Sequence, residues 1–218
     1  MIVIGLSGKA RHGKGSVVQL AQILMQSGDN EREVRQVSFA TALKETARYI
    51  VERTHMDKPM TDSLLGLPNS VAQEVCAMAA PLTLDDLVQK TPPGRKFLQF
   101  IGTEAFRKNV DDLYWVKRAR DAISALPPET KIVFVPDVRF TNEADFVVKE
   151  MRGQIWRINR FNPDIDRTPF DNGLTPEQKA HPSETQLDDY KFDVVVNSTN
   201  MADLFDAVKA QLKRLGFG

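Results

Sequence analysis

The sequence predicts an α/β fold with a five-stranded, mostly parallel sheet and helices on both faces. Three observations predict it. Short apolar runs of strand length alternate with segments of helical periodicity along the 218 residues, and such alternation gives parallel strands joined by crossover helices. The first run, Ile2-Val3-Ile4, is β-branched, continuous and stopped by Gly5, as in a strand buried on both faces. It leads through a glycine-rich basic stretch, GLSGKARHGKGS (Gly5 to Ser16), straight into a helical segment. Right-handed crossovers then put the strand C-termini on one edge, where ligands bind.

The elements come in this order. From Lys14 to Gln26, Val17, Val18, Leu20, Ala21, Leu24 and Met25 recur at helical spacing, and Ser27-Gly28-Asp29-Asn30 ends the helix. Val34 to Phe39 is the second strand. Thr41 to Arg53 is a helix with Leu43, Ala47, Ile50 and Val51 on one face. Residues 55–94 differ: Pro59, Pro68, Pro81, Pro92 and Pro93 separate short helical pieces, which reads as an inserted lobe. Lys96 to Asn109 and Asp111 to Leu126 are helices, the second closed by Pro127-Pro128. Lys131 to Val135 is a strand, Thr141 to Met151 a helix, and Gly153 to Ile158 another strand. Residues 159–186, polar and rich in Asp, Arg and Pro, read as a lid-like loop. Phe192 to Val196 and Met201 to Leu215 are the last strand and helix. The expectation is one domain, 1–218, carrying a lobe and a lid.

Composition narrows the function. The apolar fraction of 42% and charged fraction of 27% suit a soluble globular chain. Twenty-nine basic side chains balance 29 acidic ones, which argues against a general nucleic-acid binder but leaves room for a local basic pocket. With Cys76 as the one cysteine, neither an internal disulfide nor a cysteine-based zinc cluster can form, and a reducing, cytoplasmic setting is expected. The apolar start is too short for a signal or a membrane span, so no membrane partner is expected.

Gly8-Lys9-Ala10-Arg11-His12-Gly13-Lys14 spells G-x-x-x-x-G-K between a strand and a helix, the context of a phosphate-binding P-loop. Glycines let successive backbone N–H groups turn inward around a polyphosphate. The helix starting near Lys14 aims its unsatisfied N–H groups and positive dipole end at the same anion. Gly8, Arg11, His12, Gly13, Lys14, Gly15 and Ser16 are therefore candidate ATP-binding residues, with Lys14 reaching the outer phosphates. Gly15 stands where Ser or Thr usually follows the lysine, and the hydroxyl comes one place later, at Ser16.

Other candidates cluster at strand ends. Val133-Phe134-Val135-Pro136-Asp137 ends in a carboxylate that, with Ser16, can hold Mg²⁺ beside the loop. Arg139 and Glu143 come next, at the start of the following helix, where ordinary N-terminal helix polarity also explains Glu143. Gly102, Thr103, Glu104 and Arg107 lie on a patterned helix. A mid-helix Gly costs about 1 kcal/mol relative to Ala, and close approach of a ligand or another backbone would explain it, making Arg107 a clamp for an acceptor phosphate. Arg157, Arg160 and Arg167 flank the polar loop, and arginine suits the charge of a phosphoryl-transfer transition state. Trp156 could stack on a base, although a tryptophan in a strand serves the core more often.

Together the segments GKARHGKGS, SFATALKE (38–45), LQFIGTEAFR (98–107), PDVRFTNEA (136–144), WRINR (156–160) and HPSE (181–184) resemble, in order, the bacteriophage deoxynucleoside monophosphate kinases. The resemblance implies a P-loop kinase core with an acceptor-binding lobe and a lid, often as a homodimer in the cytoplasm of an infected host. It implies transfer of the ATP γ-phosphoryl group to a 5′-deoxynucleoside monophosphate with Mg²⁺. Phe39, Lys44 and Arg107 would face the acceptor, with Arg139, Glu143 and Trp156 as further acceptor candidates. Lys14, Arg139, Arg160 and Arg167 would act on the transferring group. Another small-acceptor P-loop kinase, of the dephospho-coenzyme A or adenylate kinase kind, and a non-kinase ATP-binding regulatory protein are the alternatives.

Overall fold

The computed structural model describes residues 1–25, 33–56, 66–162, 168–171 and 173–217. The chain divides into two compact units, Met1–Ser38 with Ala122–Gly218, and Phe39–Asp121.

The first unit holds the sheet. Its elements are β1 (Ile2–Ser7), α1 (Lys14–Met25) and β2 (Val34–Gln36), then β3 (Ile132–Val135), a helix at Thr141–Asp145 running into a π-helical turn at Phe146–Glu150, and β4 (Gln154–Arg160). Short helices at Pro176–Ala180 and Pro182–Thr185, β5 (Val194–Ser198) and a final helix at Met201–Arg214 complete it. The strand order is β2-β3-β1-β4-β5, and all four pairings are parallel, where the sequence predicts a mostly parallel sheet.

Register explains the core. Ile4 stands opposite Phe134, and Leu6 opposite Trp156. Since side chains alternate across a strand, these residues share a face with Ile132 and Ile158. That face meets Val17, Val18 and Ala21 of α1 and Leu204, Val208 and Leu212 of the last helix. Full burial of such side chains contributes about 1.5–3 kcal/mol each. On the opposite face Val138, Val147 and Ile155 crowd the backbone of Gly5. Both faces of β1 are thus covered, which is why its sequence shows no polar alternation.

The second unit is helical: α2 (Phe39–His55), α3 (Asn69–Ala79), α4 (Leu84–Gln89), α5 (Pro92–Gln99), a π-helical turn at Phe100–Ala105, α6 (Phe106–Asn109), and most of α7 (Tyr114–Ser124). Continuing the numbering, the later helices of the first unit are α8 (Thr141–Asp145), α9 (Pro176–Ala180), α10 (Pro182–Thr185) and α11 (Met201–Arg214). Thr83 and Asp86 cap α4 reciprocally, at 3.3 and 2.8 Å. Phe106, Tyr114 and Trp115 pack ring on ring, with centroids 4.6 to 5.3 Å apart.

Several boundaries differ from the sequence reading. β2 ends at Gln36, and Phe39 opens α2 rather than closing a strand. The helix expected over 96–109 starts at Pro92, since Pro is accommodated in a first helical turn, and changes to π-helical winding at Phe100. The loop at 159–186 contains α9 and α10. Its start also pairs with its own later residues: Phe161 bridges Pro169, and Asn162 N–H donates to the Thr168 carbonyl at 2.8 Å.

Candidate functional site

β1 is central, with β3 on one side and β4 on the other. The chain leaving β1 at Ser7 therefore emerges between the segments that continue from those two strands, the crevice where open parallel sheets bind ligands.

Two glycines shape the turn. A Cβ on Gly8 would lie 2.4 Å from the Ile158 carbonyl oxygen, so only glycine lets the loop pass β4 this closely. Gly13 has φ +93, which favours glycine. Between them Arg11 takes φ 62 with its side chain exposed. The His12 N–H donates to the Lys9 carbonyl at 3.4 Å, and the Gly13 carbonyl accepts from Val17 N–H at 3.1 Å as α1 begins.

Lys14 folds back over this turn. Its Nζ donates to the Gly8 carbonyl at 2.5 Å and to the Lys9 carbonyl at 2.9 Å. Burial lowers its pKa to about 8, helped by the positive charges of Arg139 and Arg157 and opposed by Glu184 and Asp137. His12, 6% exposed, lies inside the same loop. Burial holds its pKa below the ordinary value, and Lys14 and Arg157 push the same way. Its Nδ1 accepts from the Arg160 N–H at 3.2 Å, so the neutral ring carries its proton on Nε2.

A ring of ion pairs surrounds the loop. Glu184 accepts from Arg139 Nη1 with one carboxylate oxygen and from the Ala10 backbone N–H, at 3.3 Å, with the other. Its backbone carbonyl accepts from Lys9 Nζ. Lys9 also reaches both Asp188 oxygens, at 2.6 and 2.7 Å, and Arg157 Nη2 meets Asp188 at 3.2 Å. Arg157 in addition donates to Ser7 Oγ at 3.3 Å and lies over the Phe192 ring. Local sequence places Glu184. His181 caps α10 by accepting from Ser183 N–H at 3.2 Å, Pro182 starts the helix, and buried Leu187 anchors the chain just past it.

The remaining candidates are spread along strand and helix ends. Ser16 is half-buried in the first turn of α1. Asp137 accepts from Ser38 Oγ at 2.6 Å, and its charge acts on Lys14. Gly15 has nothing near its α-carbon that a side chain would meet. Arg139 also donates to the Ser183 carbonyl at 3.1 Å. Arg160 lies 4.1 Å over the Phe170 ring. Arg167 is outside the described residues.

Two of the acceptor candidates, Glu143 and Trp156, are buried. Glu143 is 2% exposed, and its carboxylate accepts from the Arg139 and Phe140 N–H groups at 2.8 and 3.1 Å. These bonds shape the start of α8. Trp156 is fully buried, edge-on to Phe134, and its indole donates to Gln154 Oε1.

Phe39, Lys44 and Arg107 belong to the helical unit. Phe39 is buried at the start of α2, Lys44 is exposed one turn on, and Arg107 is half-buried in α6. Gly102 packs against α2, where a Cβ would sit 3.3 Å from Leu43 Cδ2. Its carbonyl, within the π-helical turn, accepts from Trp115 Nε1 at 2.9 Å.

Sequence reasoning assigns no role to Glu184 or Asp188. The one signal is the HPSE segment at 181–184, whose Pro after a capping His marks a helix start.

No family model matches the chain. A protein of Acanthamoeba polyphaga mimivirus named "Putative deoxynucleotide monophosphate kinase" is 30% identical over 127 residues, 52% of this chain and 58% of the relative. The chain thus spans just over half the length of the curated relative it matches. A crystal structure of TT1252 from Thermus thermophilus aligns over 98% of this chain and 97% of that one, with 18% identity and a TM-score of 0.47. Among the described residues no helix is long and apolar enough to cross a membrane.

Proposed function

We propose that this protein is a nucleotide kinase that transfers the ATP γ-phosphoryl group to a 5′-deoxynucleoside monophosphate. The observation that carries the reading is Lys14 itself. It sits at the strand–turn–helix junction with its ammonium over the turn, in a field to which Arg139 and Arg157 both contribute. Such a concentration of cations beside the start of a helix matches a polyphosphate. The name of the mimivirus relative supports the nucleotide monophosphate as acceptor.

In this reading Gly8 to Ser16 cradle the triphosphate and Lys14 neutralises its outer phosphates. Arg139 and Arg160 meet charge that develops on the transferring group, an interaction worth more in the transition state than before it. Phe39, Lys44 and Arg107 take the acceptor. The lobe at 55–94 serves the acceptor, and the segment at 159–186 excludes water from the reaction.

Mg²⁺ suits the donor set. Among the described residues no three His, Cys, Asp or Glu side chains gather as a metal cage. Mg²⁺ does not need one, because it binds through one or two protein oxygens and the phosphates of its substrate. Ser16 and Asp137 would hold it, and its charge would offset that of the phosphates.

The test is ADP formation from ATP and Mg²⁺ across a panel of deoxynucleoside monophosphates, ribonucleoside monophosphates and dephospho-coenzyme A. Phosphorylation of a deoxynucleotide is expected. Phosphorylation of dephospho-coenzyme A alone would replace the reading with the other kinase class. ATP loss without any phosphorylated acceptor would favour a regulatory ATP-binding protein.

A further inference from the structure

A carboxylate lies against the Gly8–Gly13 turn. One oxygen of Glu184 takes the Ala10 N–H, a donor of the Gly8–Gly13 turn, and the other takes the Arg139 guanidinium. The Glu184 side chain is 8% exposed, so this charge is withdrawn from water and set against the loop. Four residues on, Asp188 holds Lys9 with both oxygens and Arg157 with one. Lys14 adds a further cation to the turn, donating to the Gly8 and Lys9 carbonyls.

These contacts have a common chemistry. A carboxylate and a phosphate ask for the same donors, a backbone N–H and a bidentate-capable guanidinium. Both cannot occupy them together, because a donor held by one is lost to the other and the two anions repel. We propose that Glu184 is an internal stand-in for polyphosphate, occupying the loop until a triphosphate expels its carboxylate and takes over Arg139. The proposal rests on reading the Gly8–Lys14 turn as a polyphosphate cradle. It adds that the cradle is kept closed by the chain's own charge, with Asp188 as a second, more exposed latch.

The consequence is an exchange of partners. Arg139 is held by Glu184, and Lys9 by Asp188. When polyphosphate arrives, the carboxylates move out to water and the cations stay with the phosphates. No bond is made or broken, and the cost of displacing Glu184 is subtracted from triphosphate affinity.

The experiment uses inorganic tripolyphosphate, which probes the cradle without requiring a kinase reaction. Calorimetric titration is made on the unaltered chain, on Glu184→Gln, which keeps the size and hydrogen-bonding oxygen but not the charge, and on Asp188→Asn. Glu184→Gln is expected to bind about tenfold tighter, and Asp188→Asn about threefold tighter. A purely structural role for Glu184 predicts the opposite, because the loop would lose its support and affinity would fall. Equal or weaker binding by Glu184→Gln would therefore overturn the proposal. A second measurement needs no variant. Carbodiimide labelling of Glu184 in the unaltered chain should rise when tripolyphosphate is added, and a constant or lower yield would overturn the proposal even if the variant failed to fold. If affinity and labelling behave as expected but no acceptor is phosphorylated by ATP, the stand-in stands and the kinase reading falls. If no chain binds tripolyphosphate, both fall together.

Discussion

The backbone N–H of Arg160 donates to Nδ1 of His12 at 3.2 Å, tying the end of β4 to the interior of the loop after β1. Only an unprotonated Nδ1 can accept it. Burial, Lys14 and Arg157 all hold His12 toward the neutral form. A histidine whose folded pKa is lowered takes up its proton more readily in the unfolded chain, so stability falls as pH drops below about 6.5. We expect the thermal midpoint to fall between about pH 6.5 and pH 5.5, above the range where most carboxylates titrate. His12→Leu should flatten that part of the profile. It should also cost about 1–3 kcal/mol at neutral pH, because the Arg160 N–H is left unpaired. An unchanged profile in the variant would remove His12 from this role.

Lys14 gives a second pH dependence, of opposite direction and on binding. Burial holds the Lys14 pKa down at about 8, and only the ammonium attracts phosphate. Triphosphate affinity should hold steady up to about pH 7.5 and decline at higher pH. In Lys14→Arg, whose charge persists, the decline should be absent. Lys14→Ala should lower turnover by at least about tenfold while leaving the fold intact. Near-normal turnover in a folded alanine variant would contradict the assignment of the loop.

Arg107 tests the division of labour between the two substrates. Arg107→Ala is expected to raise the KM for the nucleoside monophosphate by about tenfold, the loss of a charged hydrogen bond. The KM for ATP should be nearly unchanged. Should the ATP value rise instead, the arginine serves the donor.

Arg160 rests on Phe170 at 4.1 Å, a cation–π contact that holds the guanidinium at the start of the 159–186 segment. Arg160→Ala should lower kcat more than it raises either KM, as expected of a group that meets charge only in the transition state. Phe170→Ala should show a smaller effect of the same kind, through loss of guanidinium orientation. A pure KM effect in the Arg160 variant would make it a ground-state contact.

Local rules encode the features that are legible in the sequence. The Ile2–Ile4 run, the G-x-x-x-x-G-K spacing and the 3.6-residue pattern of Val17, Val18 and Ala21 each report on their own few neighbours, and the structure keeps all three. The partnerships of Glu184 with Arg139 and of Lys9 with Asp188 span 45 and 179 positions. No periodicity carries information over such separations. The π-helical turns at Phe100–Ala105 and Phe146–Glu150 escape sequence reading for another reason. One widened turn shifts the apolar stripe by a single residue, which a windowed pattern absorbs. Glu143 and Trp156 are ambiguous in sequence because their residue types suit both a site and a core. Their burial is a property of the packed chain, which no local pattern records.

Each compact unit contains one of the chain's two tryptophans. Trp115 is anchored to Gly102 among the helices, and Trp156 is enclosed by the sheet core. Both indoles are shielded from water, so each emits toward the blue while its surroundings stay folded and toward the red once they open. A Trp115→Phe chain is therefore dark in the helical unit and reports on the sheet alone. The Trp156→Phe chain does the reverse, and the denaturant midpoints of the pair reveal whether the two halves melt as one cooperative body or in succession.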